Sequence, residues 1–411
     1  MNGMDETLLI LGAGIYQAPL IKKARDMGFK TAVASIPGPY PGFDLADIPL
    51  YINTTDREAI LEAAKRLNVK GILTTGTDVA IRSLGYACES LSLPGMPRAA
   101  ADILADKARM KQAFKGKVSS PDFEALYFDQ NKKNDVSYVD GLYETLLKKA
   151  GSIGFPLMVK ACDSSGSRGV TKVRDADLLR SALDYSLLTT RTDHIIIEKA
   201  IEGHEIGLDA FISNGKIVYF APHEKLTRST KGVTIPFGHI FPFDCSQSLN
   251  RSIYRELENI ISATGIDDCA VNCDLFVLPD GTVSIVEIGG RCGATCIPEL
   301  ITMNTGIDYY RQMILNAVGE NLDFSAAENN KCMAGVLFSE AGGVLRSIDE
   351  AAVKNLAQST GAEILIDYKI GDPIPPIKAG NDRIGHVIMP GGDRNELFRV
   401  MESVMDALLI E

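Results

Sequence analysis

The sequence lacks the features that would place it in a membrane or on a nucleic acid. None of its apolar runs reaches the roughly 18 residues of a membrane-spanning helix, and it shows no charged-then-apolar leader, so we expect a cytoplasmic protein. Positive charge is scarce: 42 Lys and Arg stand against 53 Asp and Glu, a net charge of −11. This balance disfavours binding to nucleic acid, and local basic residues are expected to serve small anions.

Two common nucleotide-binding patterns are incomplete. No Gly-Lys-Ser/Thr sequence opens a helix, which argues against a Walker-type phosphate loop. Gly12 and Gly14 follow a predicted strand, but Gln17 stands where the third glycine of a dinucleotide fingerprint belongs, and no acidic residue ends the second strand. These departures argue against an NAD-dependent oxidoreductase, which we keep as an alternative.

Cysteines are too few for a disulfide scaffold, since the chain of 411 residues has eight. Cys269, Cys273, Cys292 and Cys296 form two C-x₃-C pairs, a spacing found in zinc sites. Cys273, however, lies in a strand-like run, where neighbouring side chains point to opposite faces, and no glycine-rich knuckle surrounds either pair. We therefore predict buried, reduced thiols here rather than structural zinc.

Hydrophobic periodicity predicts an α/β organisation. A β-loop-α-β pattern over residues 8–35 predicts a parallel sheet. Residues 98–114 and 298–317 each predict one helix, and residues 129–140 predict a loop. Residues 223–232, which are rich in cations and hydroxyls, are the candidate segment for substrate recognition, with a mobile surface loop as the alternative. Later in the chain, two hairpins are predicted from the turns Asn214-Gly215 and Pro279-Asp280-Gly281.

The most informative stretch runs from Leu157 to Val173. An apolar strand ends in Lys160, a second short strand returns, and the loop between them consists of small residues: Ser164, Ser165, Gly166, Ser167 and Gly169. Glycines let backbone N–H groups approach an anion, hydroxyls add donors, and the lysine adds a charge. The pattern predicts a loop for the terminal phosphates of a nucleotide, with a plain surface hairpin as the alternative.

Two carboxylates are predicted to face each other on the second hairpin. Asp274 and Glu287 fall on adjacent antiparallel strands, where like charges repel unless a cation lies between them. The alternative is a pair of solvated charges on an exposed face. Asp78, after an earlier predicted strand, is expected to cap a helix or to contact a substrate.

Together these features resemble the ATP-grasp superfamily, in particular the branch of biotin carboxylase, carbamoyl-phosphate synthase, purine-pathway ligases and amino-acid ligases. The motifs that carry the resemblance are, in order, Lys107, Leu157-Met158-Val159-Lys160 with its Ser/Gly loop, Glu198-Lys199-x-Ile201 with Glu205, Asp274, and Glu287-Ile288-Gly289-Gly290-Arg291. The resemblance implies a multidomain α/β and α+β fold. Its parts are an N-terminal Rossmann-like parallel-sheet domain (1–97), an ATP-grasp domain with an antiparallel core sheet and a mobile lid (98–330, lid about 118–198), and a smaller C-terminal α+β region (331–411).

The resemblance also implies ATP and Mg²⁺ (or Mn²⁺) as cofactors. Lys107 and Lys160 would neutralise the phosphates, and the loop from Ser164 to Gly169 would close over them. Arg168 would reach the γ-phosphate or the substrate when the lid closes.

The remaining implied roles concern the nucleoside, the metal and the transferred group. The segment that would read the adenine through its backbone comprises Glu198, Lys199, Ala200 and Ile201. Glu205 would accept hydrogen bonds from the ribose. Asp274 and Glu287 would hold Mg²⁺, and Arg291 would stabilise charge on the transferring phosphoryl group or the acyl-phosphate.

One position departs from the family pattern. Many relatives carry asparagine two residues after the metal-binding glutamate, but this sequence has Gly289 there. A glycine has no side chain to offer a second metal ion, so the departure puts that metal site in doubt.

The implied function is an ATP-dependent carboxylate–amine ligase that forms an amide or peptide-type bond through an acyl-phosphate and releases ADP and phosphate. Its partners would be a small-molecule carboxylate and amine, with amino acids as one class; relatives are often homodimers. Arg228, Lys231 and Arg383 are predicted substrate contacts, each with a plain surface role as the alternative. Other interpretations left open are a bicarbonate-using carboxylase of the biotin or purine type and a non-catalytic ATP-binding protein, the latter because of Gly289.

Overall fold

The computed structural model describes residues 6–164, 166, 168–230, 233–325, 328–378, 380 and 382–411, apart from the side chains of residues 229, 230, 233 and 234. Ser165, Ser167 and Lys231, which the sequence assigns to the phosphate loop and the substrate, lie outside the described residues.

The N-terminal part forms the predicted parallel sheet. Its strands are Thr7–Leu11 (β1), Lys30–Ser35 (β2), Ile48–Tyr51 (β3) and Gly71–Leu73 (β4), in the order β3-β2-β1-β4. The helices of this part are Ala18–Asp26 (α1), Pro41–Leu45 (α2), Arg57–Leu67 (α3) and Ile81–Leu91 (α4). Helices cover both faces of the sheet, which is why every residue of β1 is buried.

Two helices replace the single one expected at 98–114. They are Arg98–Leu104 (α5) and Lys107–Phe114 (α6). The break has a local cause: the Asp106 side chain accepts hydrogen bonds from the N–H groups of Ala108 and Arg109, both at 3.1 Å, and so starts a new helix.

A separate four-stranded antiparallel sheet follows. Its strands are Phe123–Tyr127 (β5), Leu157–Ala161 (β6), Val170–Val173 (β7) and His194–Lys199 (β8), in the order β5-β8-β6-β7. The helices Val136–Ile153 (α7) and Leu179–Thr189 (α8) pack on it, with short 3₁₀ turns at Gln130–Lys132 and Ala176–Leu178. We call β5 to β8 the lid sheet. The loop expected at 129–140 is wrong in part, because Asp135 caps α7 and the helix begins at Val136.

The remaining strands build an eight-stranded antiparallel sheet and a small three-stranded one. They are His204–Ser213 (β9), Lys216–Thr230 (β10), Val233–Phe241 (β11), Cys269–Val277 (β12), Val283–Gly289 (β13), Cys332–Leu337 (β14), Gly343–Ile348 (β15), Glu363–Ile366 (β16), Pro373–Ile374 (β17), Gly385–Pro390 (β18) and Leu408–Ile410 (β19). The large sheet runs β13-β12-β9-β10-β11-β14-β18-β16, and the small one β17-β15-β19. The helices are Gln247–Thr264 (α9), Ile297–Thr305 (α10), Tyr309–Ala317 (α11), Glu350–Thr360 (α12) and Arg394–Asp406 (α13).

The parallel N-terminal sheet, the antiparallel core sheet and the α+β C-terminal part confirm the predicted fold class. Strands β14, β16 and β18 from the C-terminal part complete the large sheet. The division of the chain at residues 97 and 330 stays a prediction.

Two further expectations are wrong. The single helix at 298–317 is α10 and α11, because Gly306 adopts a left-handed conformation (φ +77°) and Asp308 caps the second helix. The loop expected at 223–232 is, up to Thr230, the second half of the long strand β10, which pairs with β11.

Of the paired cysteines, Cys273, Cys292 and Cys296 are buried free thiols, whereas Cys269 is half-buried.

Within the described part of the chain, no helix combines the length and the apolar character that crossing a bilayer requires.

Backbone contact between the N-terminal sheet and α11 constrains Gly71. A Cβ at Gly71 would lie 2.3 Å from the carbonyl oxygen of Ala317, which as backbone has little freedom to move. We expect Gly71→Ala to lower the free energy of unfolding by about 1–3 kcal/mol in denaturant titrations. Gly141→Ala is the matched control, because it lies within α7 with nothing inside 4 Å of its added Cβ. Equal stability of the two variants would contradict the close approach.

Candidate functional site

An open cavity of about 350 Å³ lies where the N-terminal part, the lid sheet and the large sheet meet. Its lining includes Lys107, Ser164, Asn272, Asp274, Glu287 and Arg291. The structure thus brings five predicted site residues to one place and adds Asn272, which no sequence motif singled out.

The two predicted metal-binding carboxylates are cross-strand neighbours. Asp274 on β12 stands directly opposite Glu287 on β13 in the strand register, as the hairpin predicts. Each already has a cation: Lys225 Nζ lies 2.8 Å from Asp274 Oδ1, and Lys107 Nζ lies 3.2 Å from Glu287 Oε2. Burial disfavours the charged form of Glu287, but Lys107 and then Lys160 outweigh it and lower its pKa to about 2. Two carboxylates beside an amide oxygen of Asn272 form a donor set that suits a hard cation such as Mg²⁺.

Lys225 is a site residue that sequence reasoning missed. Its Nζ bridges Asp274 and Glu205, with 2.7 Å to Glu205 Oε1, and its side chain is 8% exposed. Burial opposes its charge, but Asp274 and Glu205 raise its pKa. The residue lies in the stretch predicted as a loop. A strand assignment there would have placed it beside β9, which carries Glu205.

Lys160 forms a buried ion pair with Glu198, and Lys111 completes the group with its Nζ 3.3 Å from Glu198 Oε2. Burial disfavours ionisation of Glu198, but Lys160 and Lys111 outweigh it and lower its pKa. Burial lowers the pKa of Lys111. The Glu198 carboxylate is therefore the ion-pair partner of both lysines. Lys111 is a second cation that sequence reasoning missed.

The segment that links the lid sheet to the large sheet uses part of its hydrogen-bonding capacity internally. Lys199 N–H donates to Asp122 C=O (2.9 Å), and Ala200 N–H donates to Pro156 C=O (3.0 Å). The Lys199 ammonium donates to the carbonyls that precede β6, at 2.9 and 2.8 Å. These contacts occupy the backbone N–H groups of Lys199 and Ala200, and the role of the segment in adenine binding stays a prediction.

The described part of the phosphate loop is anchored at both ends. Lys107 Nζ donates to Ser164 C=O at 2.7 Å. Gly169, buried with φ +67°, has a carbonyl that accepts from Ala161 N–H at 2.9 Å and from the Ser186 hydroxyl at 3.1 Å. Gly166 and Arg168 lie exposed in the turn between these anchors.

Arg291 is fixed by partners from two parts of the chain. Its Nη2 lies 2.8 Å from Asp78 Oδ2, and its Nη1 donates to Asn272 Oδ1 at 3.0 Å. The Asn272 amide donates to the fully buried carboxylate of Asp209 at 2.8 Å, and Gly293 N–H donates to the same carboxylate at 2.7 Å. Burial opposes the charge of Arg291, but Asp78 raises its pKa.

Asp78 was expected to cap a helix or to contact a substrate, but its side chain does not cap α4. It lies at the cavity, a few residues after β4, and pairs with Arg291. This arrangement also bears on Gly289. A Cβ at Gly289 would lie 2.6 Å from Asp78 Oδ1, so an asparagine there would require the Asp78 side chain, which pairs with Arg291, to shift. Asn272 stands opposite Gly289 in the register and places an amide on the same side of the hairpin.

The predicted substrate cations that the structure describes have carboxylate partners away from the cavity lining. Arg228 is exposed and pairs with Glu340. Arg383 is buried, and its guanidinium contacts Asp367 at 2.7 and 3.2 Å. The alternative of a surface arginine on an edge strand is wrong for Arg383, because it precedes β18, which lies between β14 and β16.

The side chain of Gln17 closes the loop after β1 that contains Gly12 and Gly14. Gln17 Oε1 accepts from Gly14 N–H at 2.9 Å, and its amide group donates to Thr75 C=O. The side chain at the position of the missing third glycine thus occupies a backbone donor that a dinucleotide phosphate would need.

Two protein-family models match stretches of this sequence. The ATP-grasp domain family matches residues 153–299, and the family "L-amino acid ligase C-terminal domain 2" matches residues 335–411. The structure of phosphoribosylglycinamide synthetase from Anaerococcus prevotii is similar over 99% of both chains, with 27% identity and a TM-score of 0.75. L-amino acid ligase from Bacillus licheniformis has a TM-score of 0.78 at 17% identity, over 99% of this chain and 98% of that one, which shows a shared fold.

The chain is also similar in sequence to two curated proteins. An uncharacterized protein, y4rH, of Sinorhizobium fredii is 22% identical over 373 residues, or 87% of this chain and 72% of that protein. D-alanine–D-alanine ligase of Streptococcus pyogenes is 26% identical over 183 residues, or 42% of this chain and 51% of that enzyme, so the match spans about half of the relative. Residues 153–299 thus match an ATP-grasp domain, and residues 335–411 match an L-amino acid ligase C-terminal domain.

Proposed function

We propose that this chain is an ATP-dependent ligase that joins a small-molecule carboxylate to an amine through an acyl-phosphate and releases ADP and phosphate. The observation that carries the proposal is the convergence of Lys107, Glu287 and Arg291 on one cavity. A phosphate-binding cation, a metal-binding carboxylate and an anion-stabilising guanidinium then act on the same reacting atoms.

An amino acid is the substrate class that the comparisons favour. Residues 335–411 match a C-terminal domain named for L-amino acid ligases, and the relative from Streptococcus pyogenes is named for joining two alanines. Both names support an amino-acid carboxylate as the group that is activated, and an amine as the attacking group.

ATP would supply the phosphoryl group, and Asp274 and Glu287, on adjacent strands, would hold a Mg²⁺ that screens the charge of its oxygens. Lys107 and Lys225, which pair with these two carboxylates, would be the cations available to neutralise phosphate oxygens. Lys160 adds a third positive charge from the lid sheet.

The nucleoside and the substrate are held by neighbouring groups. The backbone of Ile201 contacts the adenine, and Glu205 accepts from the ribose. Arg291, oriented by Asn272, stabilises negative charge on the carboxylate as it accepts the phosphoryl group. Arg168, on the exposed turn of the lid sheet, reaches the phosphates as the loop closes.

The proposal is tested by phosphate release. Purified protein with ATP and Mg²⁺ is offered amino acids as carboxylates crossed with amino acids as amines, and products are weighed by mass spectrometry. We expect release that needs both partners, with a product lighter than their sum by one water. Release that depends on bicarbonate would instead indicate a carboxylase, and ATP binding without release for any pair would indicate a non-catalytic protein; either result overturns the proposal.

Glu287→Gln tests the metal assignment. The change removes the charge that holds the metal but keeps the size of the side chain, so we expect turnover to fall by at least about a hundredfold while the circular dichroism spectrum is unchanged. Glu258→Gln, an exposed glutamate on α9, is the matched control and should retain full activity. Normal turnover in Glu287→Gln would remove the metal role.

Lys160→Met tests the phosphate role of the lid sheet. Methionine keeps the aliphatic stem and removes the charge, so we expect ATP affinity measured by calorimetry to fall by at least about tenfold. Stability should fall as well, because Glu198 is left buried with Lys111 alone. Lys172→Met, on an exposed position of β7, serves as control. A folded Lys160→Met protein with wild-type affinity would rule out this role.

A further inference from the structure

A second cluster of reactive side chains lies where the lid sheet meets α6. Cys162 directly follows β6, His194 opens the neighbouring strand β8, and Asp106 caps α6. The three residues therefore come from both sides of the junction between the lid sheet and the body of the protein. None of them has a role in the proposed ligase reaction.

Their ligand atoms converge. The Cys162 sulfur, a His194 ring nitrogen and an Asp106 carboxylate oxygen lie within 4.8 Å of one another, and among the described residues this is the one such group of three. His194 Nε2 lies 3.1 and 3.0 Å from the two Asp106 oxygens. All three side chains are buried, with Asp106 and Cys162 exposed by no more than 2%.

The surroundings orient the cluster. Asp193 Oδ1 lies 2.7 Å from His194 Nδ1, so the outward ring nitrogen is engaged and Nε2 is turned to the other two groups. Asp106 is fixed in turn by the first amides of α6, and Arg82 Nη2 lies 3.5 Å from its carboxylate. A carboxylate on the far nitrogen of a histidine is the usual outer support of a metal ligand.

We propose that Asp106, Cys162 and His194 form a zinc site that fastens the lid sheet to α6. Thiolate, imidazole and carboxylate together are a donor set of zinc, whereas the magnesium chemistry proposed for the cavity uses oxygen donors alone. Its three ligands take no part in the proposed ligase reaction.

Charge balance is consistent with a bound zinc ion. Zinc binds a deprotonated thiol and a neutral imidazole, so the thiol proton and any proton on His194 Nε2 would leave to solvent. Thiolate and carboxylate would then balance the two charges of the metal, so that binding adds no net charge to a buried place.

The position of the cluster gives it a consequence for the cavity. Lys107 N–H donates to Cys162 C=O at 3.1 Å, and the side chain of the same lysine reaches Glu287 and Ser164. A metal that ties Cys162 to Asp106 therefore also fixes Lys107, which lines the cavity as Cys162 does.

The test uses the full chain, stripped with a chelator under reducing conditions and titrated with Co²⁺. We expect one equivalent to bind with a thiolate-to-cobalt charge-transfer band in the near ultraviolet, and Zn²⁺ to displace it. Cys162→Ser should abolish the band, while Cys88→Ser, a buried thiol in another core cluster, should keep it. Because the thiol must lose its proton to bind the metal, affinity should rise with pH near neutrality.

Asp193→Asn provides a variant that leaves the three ligands intact, since Asp193 is exposed and touches the ring only through Nδ1. We expect its Co²⁺ affinity to fall by about 10–100-fold. Absence of any charge-transfer band in the folded wild-type protein, or a band that survives Cys162→Ser, would overturn the proposal and leave the cluster as an ion-pair network. These readouts do not involve turnover, so failure of the ligase proposal would not be mistaken for failure of this one.

Discussion

Five buried or half-buried cations in and around the cavity are each paired with a carboxylate, and the arrangement of the site depends on these pairs. Lys160 and Lys111 share Glu198, Lys225 bridges Asp274 and Glu205, and the remaining pairs are Lys107 with Glu287 and Arg291 with Asp78. A lone charge would cost far too much free energy in such a place, so the pairs hold the cavity in shape before any ligand arrives. In the proposed reaction, Asp274 and Glu287 would hold a magnesium ion, and the lysines would be available to phosphate oxygens. The same ion pairs therefore explain how these charges are tolerated around the cavity.

Much of the fold and part of the site could be predicted from local patterns. The N-terminal β-loop-α-β unit and the two hairpins are short-range features, and the second hairpin is enough to set Asp274 opposite Glu287. Helix breaks at Asp106 and Asp308 escape prediction because helical periodicity continues across a single capping residue. The second half of β10 resembles a loop in sequence because its cations and hydroxyls are typical of loops, and only pairing with β11 makes it a strand.

Other features depend on contacts that no local pattern contains. Asp78 and Arg291 are 213 residues apart in the chain, and only the assembled sheets bring them together. Their contact gives Gly289 a physical reason, since a side chain there would collide with Asp78. Arg383 is a different case. Arginine is common on protein surfaces, but Arg383 is buried and pairs with Asp367 in the C-terminal part. Ion pairs between residues that are far apart in the chain are therefore the feature that the sequence alone does not predict.

The central claim is that a carboxylate is activated by phosphoryl transfer in this cavity. The most direct measurement follows a heavy oxygen isotope placed in the carboxyl group of the amino acid that is consumed. Attack of that carboxylate on ATP moves one of its oxygens onto phosphorus, so we expect each released phosphate to carry one labelled oxygen by mass spectrometry. Phosphate without the label, released while product is formed, would contradict an acyl-phosphate and with it the proposed roles of Arg291 and the paired carboxylates.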